Sequence, residues 1–404
     1  MDIDRGKGAS LPGWVLVGIL SLGAFTTALN VTLLSPLLTR IAAEFDVSEA
    51  AAGQLATLTA VCSGVAALTV APWLDRRPRG DWLRLESALL AAGTLLTILA
   101  PGFGWLFAGR MLAGLGGAFI FAVSLAAVGD LYPEPVARNR AIGIVGTAAT
   151  LGAVLGLPVI TQLGAAWGWR WAVASLLPLC AILFAGGSWL PRSRTPGHGS
   201  LWRSWVRGYA DVVESGATLR LLAVIVALAA VWFGWLIYFG AYAETMFAVS
   251  AGTLSLLYLS GGAAEVVGNN LTPPMVQRFA PRTVALGSAA VLSADLLAVG
   301  VFYTRTWALF PFIVIASVAG VVLFTTTSIM LLDSLPSARG AVMSLQSAGF
   351  ELGGALGAGA FGAVLAVSGD YPTVYRLLGL VLPVTLVSLA LYPGRLPRPV
   401  DASR

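Results

Sequence analysis

The sequence contains few of the residues on which metal, redox and nucleotide chemistry depend. It has one lysine, Lys7, one histidine, His198, and two cysteines, Cys62 and Cys180. Because Lys7 is followed by Gly8, the phosphate-binding Gly-Lys-Ser/Thr loop is absent, which excludes a built-in ATPase. One histidine and two distant cysteines cannot assemble a zinc site or a haem attachment motif. The sequence therefore predicts no metal, no cofactor and no disulfide framework.

Charge is equally scarce. Of 404 residues, 57% are hydrophobic and only 11% are charged, whereas a soluble domain carries about 25% charged residues. A bilayer-crossing helix needs about 20 apolar residues, so a chain of this length has room for about a dozen. Membrane β-barrels alternate polar and apolar residues over short segments, but the apolar runs here are long and continuous. The composition predicts an all-α membrane protein.

Apolar runs bounded by charges, Gly and Pro predict twelve transmembrane helices, which we number in chain order as spans. Their predicted bounds are 12–38, 50–73, 83–101, 105–129, 140–165, 170–191, 219–246, 250–273, 282–303, 306–332, 340–367 and 375–392.

The basic residues are distributed unequally between the two sides that these spans define. With both termini on one side, that side holds nineteen Lys and Arg residues, the other holds four, and Arg110 lies within a span. Cytoplasmic segments carry the excess of Lys and Arg, so both termini are predicted to be cytoplasmic, in a bacterial-type inner (plasma) membrane. The net charge of +5 then reflects topology and does not indicate nucleic-acid binding.

Two sequence patterns recur at one offset. Pro135–Arg138 opens the fifth span and Pro336–Arg339 opens the eleventh, 201 residues later. Leu151–Gly156 recurs as Leu352–Gly357, again after 201 residues. An even number of spans per repeat predicts two parallel six-helix bundles with pseudo-symmetry about an axis along the membrane normal. Transporters of this kind bind substrate between the repeats, near the bilayer midplane.

The repeat divides the chain into three parts. We expect a first six-helix bundle over 1–191, a cytoplasmic linker over 192–218, and a second bundle with a short tail over 219–404. Apolar residues between Leu201 and Val213 share one helical face, which predicts an amphipathic helix on the membrane surface.

Three local patterns carry further information. The loop between the second and third spans contains an acid beside basic residues, in the order Asp75, Arg76 and Arg79. The fourth span contains Arg110, and a charge inside a span faces the bundle interior by default, although an arginine near a span end can also snorkel to the interface.

The third pattern is a set of small residues in the fifth span, Gly143, Gly152 and Gly156, followed by Pro158. Small residues let helices pack closely, and we expect this packing at the contact between the two halves. Pro158 can kink the span where neighbouring groups satisfy the backbone.

These patterns make the chain resemble the major facilitator superfamily along essentially its whole length, and within it the twelve-span drug/proton antiporter branch. The resemblance implies the major facilitator fold. It implies a conformational latch in which Asp75, Arg76 and Arg79 face Arg339 at the start of the eleventh span. It also implies that Arg110 takes part in proton coupling, and the fifth-span pattern is typical of exporters.

Proton coupling requires a carboxylate that can titrate while exposed to each side in turn. Three acids lie well within predicted spans, Glu265, Asp295 and Glu351, and such residues are functional candidates by default. The ninth span is peripheral in the family fold, so Asp295 is interpreted as a structural partner. We rank Glu351 first and Glu265 second as proton sites, with buried structural hydrogen bonds as the alternative.

The first, fourth, seventh and tenth spans line the cavity in the family fold. Candidate substrate contacts on three of these spans are Thr26, Asn30, Trp235, Tyr238, Tyr242, Thr325 and Thr326. The aromatic stripe could hold flat or cationic ligands through stacking and cation–π contacts, or could serve only in helix packing.

The leading hypothesis is a monomeric secondary transporter that exports small organic or drug-like solutes by alternating access, driven by the proton gradient. Its partners would be the solute, protons and the lipid bilayer. A proton-coupled metabolite symporter or importer is the alternative, and a non-transporting membrane sensor is a weaker one. A membrane-embedded enzyme would need clustered acids or a histidine base, which the sequence does not provide.

Overall fold

The computed structural model describes residues 12–70, 77–132, 134–191, 209–335 and 339–391. Within these ranges the chain is helical apart from short turns and one isolated backbone bridge between Val299 and Tyr303. Asp75, Arg76 and residues 192–208, which include most of the predicted amphipathic helix, lie outside the described residues.

Six membrane-length segments precede the linker and form what we call the first half. They are Gly13–Thr32, Glu49–Val70, Arg79–Ile98, Phe103–Leu131, Pro135–Trp167 and Trp169–Gly187. The fourth is interrupted between Gly117 and Ile120, after a run of small residues, and the sixth is interrupted at Ser175.

Six further segments follow the linker and form the second half. They are Gly216–Phe247, Ala251–Arg278, Pro281–Leu297, Leu309–Ser334, Arg339–Ser368 and Tyr371–Ala390.

Nine of the described segments are long and apolar enough to cross a bilayer on those two criteria alone. The other three segments do not meet these criteria, and the sequence shows why. The third span starts with a charged stretch from Arg79 to Glu86, the eighth is rich in polar residues and prolines, and the ninth has only 17 residues. Each of these three segments packs against segments that meet both criteria, and these contacts hold it in the bundle.

Two predicted spans end six residues earlier than expected. The first ends at Thr32 rather than at 38, and a short 3₁₀ turn, Ser35–Leu37, and a helix, Leu38–Glu44, follow it. Pro36 lies in that turn, and proline lacks the N–H needed to continue a regular helix. The ninth span ends at Leu297 rather than 303, just before Gly300, whose positive φ of 79° is a conformation that glycine adopts without strain.

The tandem repeat has a direct structural counterpart. Gly152 of the fifth span packs on the backbone of Phe25, where an added Cβ would lie 2.5 Å from the carbonyl oxygen. Gly353 of the eleventh span packs in the same way on Val226 of the seventh. Both members of the second pair lie 201 residues after their counterparts. The two halves therefore use the same close helix contact at the same internal position.

This packing corrects one expectation about the fifth-span glycines. Gly152 and Gly156 face the first span, where Gly156 contacts Leu29, so they consolidate the first half instead of joining it to the second. Gly143 has open space around it. The contact between halves is made elsewhere on the fifth span, where Val154 packs against Gly262 of the eighth. The glycines lie on one face of the helix and the half-to-half contact lies on another.

Candidate functional site

The bundle has two ends that differ in how the halves meet. We call the end at which the sixth span finishes and the seventh begins the linker end. The opposite end, which holds the short helix Leu38–Glu44, we call the closed end.

Two carboxylates join the halves at the closed end. Glu49, at the start of the second span, accepts hydrogen bonds from the hydroxyls of Thr245, at 3.0 Å, and Tyr371. In the reverse direction, Glu244 of the seventh span accepts a hydrogen bond from Thr39 of the first half. Hydrogen bonds to charged groups contribute about 1.5–3 kcal/mol each, roughly twice a neutral one. This reciprocal pair is therefore the strongest polar connection seen between the halves within the described ranges.

Neutral hydrogen bonds continue this seal towards the interior. The Ser35 hydroxyl donates to the Leu236 carbonyl at 2.6 Å and lies 2.8 Å from the Tyr258 hydroxyl. The Tyr238 hydroxyl lies 3.4 Å from the Ala50 carbonyl. Ser35 and Leu236 are themselves 201 residues apart, so equivalent positions of the two halves touch, which places this contact on the pseudo-two-fold axis. Further bonds across the seam connect Gln54 with Gly359, Gln162 with Ala251 and Ser255, and Ser255 with Pro158.

Two polar contacts at the linker end each lie within one half. Arg79 pairs with Asp130 of the fourth span at 3.2 Å, within the first half. Thr218 donates to Ser334 at 3.1 Å, within the second. Arg339 begins the eleventh span as predicted, but its side chain, like Asp75 and Arg76, lies outside the described residues. The latch predicted at this end therefore stays a prediction.

A small cavity lies between the halves, away from both ends. Its volume is about 20 Å³, which is room for roughly one water molecule. Five spans line it: the first, second and fourth from one half, the seventh and eleventh from the other. Since pockets for small organic ligands measure about 300–1,000 Å³, the halves must separate here before a solute of that size can enter.

Glu351 and Asn30, two of the predicted site residues, both line this cavity. Glu351 is the only charged side chain among the lining residues, and none of the described residues donates a side-chain hydrogen bond to it. Its Cβ packs on Gly64, at the contact between the second and eleventh spans. The Asn30 amide nitrogen donates to the Ala113 carbonyl at 3.4 Å, while its amide oxygen is buried without a partner. One carboxyl and one free amide acceptor therefore face the same space between the halves.

Arg110 is fully buried, so its side chain does not reach the surface of the bundle. Its guanidinium donates to the hydroxyl of Thr97 on the third span at 3.1 Å, and one guanidinium nitrogen has no partner. The fourth span thus holds a buried cation beside a neutral partner of the same half. The structure does not bring it into the cavity that Glu351 lines.

The other two predicted acids occupy different environments. Glu265 is half-buried in the eighth span, one turn beyond Gly262, which packs on the fifth span of the other half. Asp295 is 4% exposed and accepts a hydrogen bond from Tyr303, a partner in its own half. The structural role expected of Asp295 matches this local contact.

The aromatic stripe of the seventh span is packed and does not line the cavity. Tyr238 stacks on Phe361 with ring centroids 4.5 Å apart, and Trp235 and Tyr242 make edge-on or tilted contacts with other aromatic rings. This arrangement corresponds to the helix-packing alternative for these residues. Thr26 is also buried and bonds within its own helix, while Thr325 donates to Asn269 of the eighth span. Thr326 is buried without a hydrogen-bond partner.

The structure reveals one buried acid that the sequence interpretation missed. Glu86 of the third span is only 2% exposed, and neither carboxylate oxygen completes a hydrogen bond. The backbone N–H of Phe119, at the interruption of the fourth span, faces it. Its position inside the predicted span 83–101 was a usable signal, which the neighbouring charges obscured.

Where the sixth span begins, one ion pair braces the closed end of the first half. Arg170 donates to Glu44, and the Trp169 indole donates to the same carboxylate. The hydrogen bond from Arg170 is the main reason why the pKa of Glu44 lies below its ordinary value. Arg170 also donates to the carbonyls of Ile98 and Ala100, which ties together three parts of the first half.

Two pseudo-equivalent helical halves in one chain, with a small cavity between them, form the arrangement of membrane transporters that are built from parallel repeats. The family model described as Major Facilitator Superfamily matches residues 20–308 and 246–404, and the chain belongs to this family. The predictions of a multi-pass, all-α membrane protein with the twelve-helix major facilitator fold, and of a transporter instead of an enzyme, are thereby confirmed.

Curated relatives with sequence similarity include efflux pumps. The chain is 28% identical over 291 residues to the purine ribonucleoside efflux pump NepI of Escherichia coli O157:H7, covering 68% of this chain and 71% of that protein. It is 25% identical over 263 residues to NepI of Shigella sonnei (strain Ss046), covering 65% of this chain and 64% of that one. The aligned part thus spans about two thirds of these relatives.

Solved structures share the fold at lower sequence identity. The D-xylose-proton symporter superposes with a TM-score of 0.77 at 14% identity, covering 95% of this chain and 98% of that one. A bacterial homolog of the human lysosomal transporter Spinster, in an inward-facing and unoccupied conformation, gives 0.70 at 18% identity, covering 95% and 96%. At these identities the likeness concerns the fold alone.

Proposed function

We propose that this protein is a proton-coupled exporter of small organic solutes that works by rocking its two halves about the central cavity. The observation that carries the proposal is Glu351, the single charged side chain in a cavity that both halves build. A carboxyl at this position can exchange its proton with either side as the halves separate in turn, because the contact between the second and eleventh spans moves with them.

We propose purine ribonucleosides as the first solutes to test. The NepI relatives are named for their efflux, at 25–28% identity. The cavity carries groups that suit such a solute, since Asn30, Thr59 and Ser63 offer polar atoms beside apolar surface from Val31 and Phe233. Small-molecule sites are mostly apolar with a few placed polar groups, as here.

We propose that the linker end faces the cytoplasm and that the closed end faces outward, in the bacterial inner membrane. The nineteen-to-four distribution of Lys and Arg supports this orientation. The seal at the closed end would then be the outer barrier, and the protein would release protons and collect solute on the cytoplasmic side in this arrangement. We further propose a monomer, because each chain builds the whole cavity between its own halves.

The decisive experiment is flux in proteoliposomes that carry an imposed proton gradient, with a radiolabelled purine ribonucleoside as solute. For an exporter, solute and protons move in opposite directions, and collapse of the gradient removes the driven flux. Glu351→Gln should lower gradient-driven flux at least tenfold while solute exchange at zero gradient persists, because only the proton step is lost. Asp295→Asn is the matched control, since its carboxyl is bonded within one half by Tyr303.

Two outcomes would contradict the proposal. If the Glu351→Gln variant kept the gradient-driven flux of the wild type, this carboxyl would take no part in proton coupling. Solute and protons moving in the same direction would favour the second candidate, a proton-coupled symporter. The fold is compatible with that candidate, since the D-xylose-proton symporter shares it with a TM-score of 0.77.

A further inference from the structure

A second cavity lies away from the contact between the halves. It is a groove of about 600 Å³ between the eighth and ninth spans, with the tenth span as its floor. Its walls include Leu271 and Met275 of the eighth span, Phe279 directly after that span, and Val291 of the ninth. All three spans belong to the second half, so rocking of the halves does not by itself open or close this groove.

The sequence explains why a groove forms here. Pro273 and Pro274 lie consecutively in the eighth span, between Leu271 and Met275 on the groove wall. Proline removes a backbone hydrogen bond and its ring bends a helix away from a straight path. On the facing wall, Gly287 leaves a space, because an added Cβ would meet no atom within 4 Å.

The lining is almost entirely apolar and opens on the outside of the bundle. Phe279 is 58% exposed and Val291 is 50% exposed, while Thr283 and Ser288 are the two residues with polar side chains in the lining. An apolar groove on the membrane-facing surface of a bundle suits an alkyl chain, which packs along it through van der Waals contacts.

Two basic residues flank the groove at the linker end. Arg278 ends the eighth span and Arg282 lies in the first turn of the ninth, each next in sequence to a lining residue, Phe279 and Thr283 respectively. No acidic residue occurs between Glu265 and Asp295, so these arginines face no competing carboxylate from their own helices. Arg282 also donates to the Ala390 carbonyl of the twelfth span, which fixes its position at this end.

We propose that this groove binds an anionic phospholipid, with one acyl chain along the eighth and ninth spans and the phosphate paired with Arg278 and Arg282. Basic residues between transmembrane helices recognise anionic headgroups through charge-assisted bonds. Arg278 is exposed at the linker end, the end that holds the excess of basic residues, so the headgroup lies at the membrane surface while the chain lies in the groove.

The test is native mass spectrometry of the purified full-length protein in a non-ionic detergent, with phosphatidylglycerol or phosphatidylcholine added at equal concentration. Wild type should retain one phosphatidylglycerol, at least fivefold more than phosphatidylcholine. Gly287→Phe should fill the groove and lower retention of both lipids at least fivefold. Gly18→Phe is the matched control, because Gly18 is also exposed on a span with no atom within 4 Å of an added Cβ.

A second pair of variants separates the headgroup from the chain. Arg278→Ala should reduce the preference for phosphatidylglycerol at least threefold, whereas Arg305→Ala, an exposed arginine on the loop after the ninth span, should leave it unchanged. Unchanged lipid retention in Gly287→Phe would overturn the proposal, provided that its elution volume on gel filtration matches wild type. If that variant does not fold, Gly287→Leu replaces it with the same expectation. Equal retention of the two lipids by wild type would also overturn it.

Discussion

The two ends of the bundle hold the same helices together by different means. At the closed end, hydrogen bonds cross from one half to the other, from Glu49 to Thr245 and Tyr371 and from Thr39 to Glu244. At the linker end, the pair Arg79 with Asp130 lies inside one half. The bonds that cross between the halves therefore resist their separation at the closed end, while this pair at the linker end helps to keep one half rigid.

This difference suggests how one barrier can be strong yet reversible. The carboxylates at the closed end are partly exposed and their partners are hydroxyls, so water can replace each partner when the halves separate. Alternating access requires two arrangements that differ by only a few kcal/mol, because a solute cannot shift a larger gap through its differential affinity. Hydroxyl–carboxylate bonds can hold a barrier without making it permanent.

The largest expected effect follows from removing Glu49. Glu49→Ala eliminates two charge-assisted hydrogen bonds between the halves, each worth about 1.5–3 kcal/mol, and every 1.4 kcal/mol is tenfold in an equilibrium constant. We expect labelling of an Ala50→Cys reporter, with Cys62 and Cys180 replaced by alanine, to become at least tenfold faster with a water-soluble maleimide. The reporter position is 5% exposed in the closed arrangement.

Glu44→Gln is the matched control for that experiment. It changes a carboxylate at the same end, but the partners of Glu44 are Arg170 and Trp169 of its own half. Its labelling rate should stay within twofold of the parent. Equal acceleration by both variants would mean that the halves are not held by the bonds that cross between them.

A smaller effect is expected at the pseudo-two-fold axis. Ser35→Ala removes neutral bonds to Leu236 and Tyr258, and neutral hydrogen bonds contribute about 0.5–1.5 kcal/mol each. The same labelling assay should show an acceleration of at least about fivefold, but smaller than that of Glu49→Ala. Ser250→Ala provides the control, since Ser250 caps only its own helix at the same end. An acceleration as large as that of Glu49→Ala would contradict the ranking of charged over neutral bonds.

Whether a feature of the fold or of the site could be predicted depends on whether its signal in the sequence lies within one short stretch of residues. The repeat at 201 residues predicted two equivalent halves, and the glycine pattern marked close packing, but which face of the fifth span the glycines occupy depends on helix rotation, which one sequence does not encode. Glu351 was found because an acid deep in an apolar run is conspicuous. Glu49 and Glu244 were missed because acids at span ends look like ordinary solvated caps, and their partners lie about 200 to 320 residues away.

A substitution at the linker end tests the other side of this comparison, since it should have little effect on separation of the halves. Asp130→Asn weakens the Arg79 pair, which joins the third and fourth spans of one half, with side-chain exposures of 12% and 30%. We expect a change of less than threefold in labelling of the Ala50→Cys reporter, because the pair does not cross between the halves. Proton-driven flux of the same variant should stay within threefold of wild type. A tenfold change in labelling would show that the linker end also controls separation at the closed end.

The smallest effect concerns the brace within the closed end. The Arg170 bond lowers the pKa of Glu44 relative to the unfolded chain, so the stability it contributes is fully present above the ordinary Glu pKa of about 4.3 and disappears as the pH falls through the lower folded value. Both side chains are more than a third exposed, which limits the contribution to about 0.2–1 kcal/mol. Glu44→Gln should therefore melt about 1–2 °C below wild type at pH 7, and this difference should shrink steadily below pH 4.5. Thermal unfolding in detergent followed by intrinsic tryptophan fluorescence measures it. A difference that grew on acidification would have the wrong sign for a carboxylate stabilised by Arg170, and would place the contribution of Glu44 in packing instead of charge.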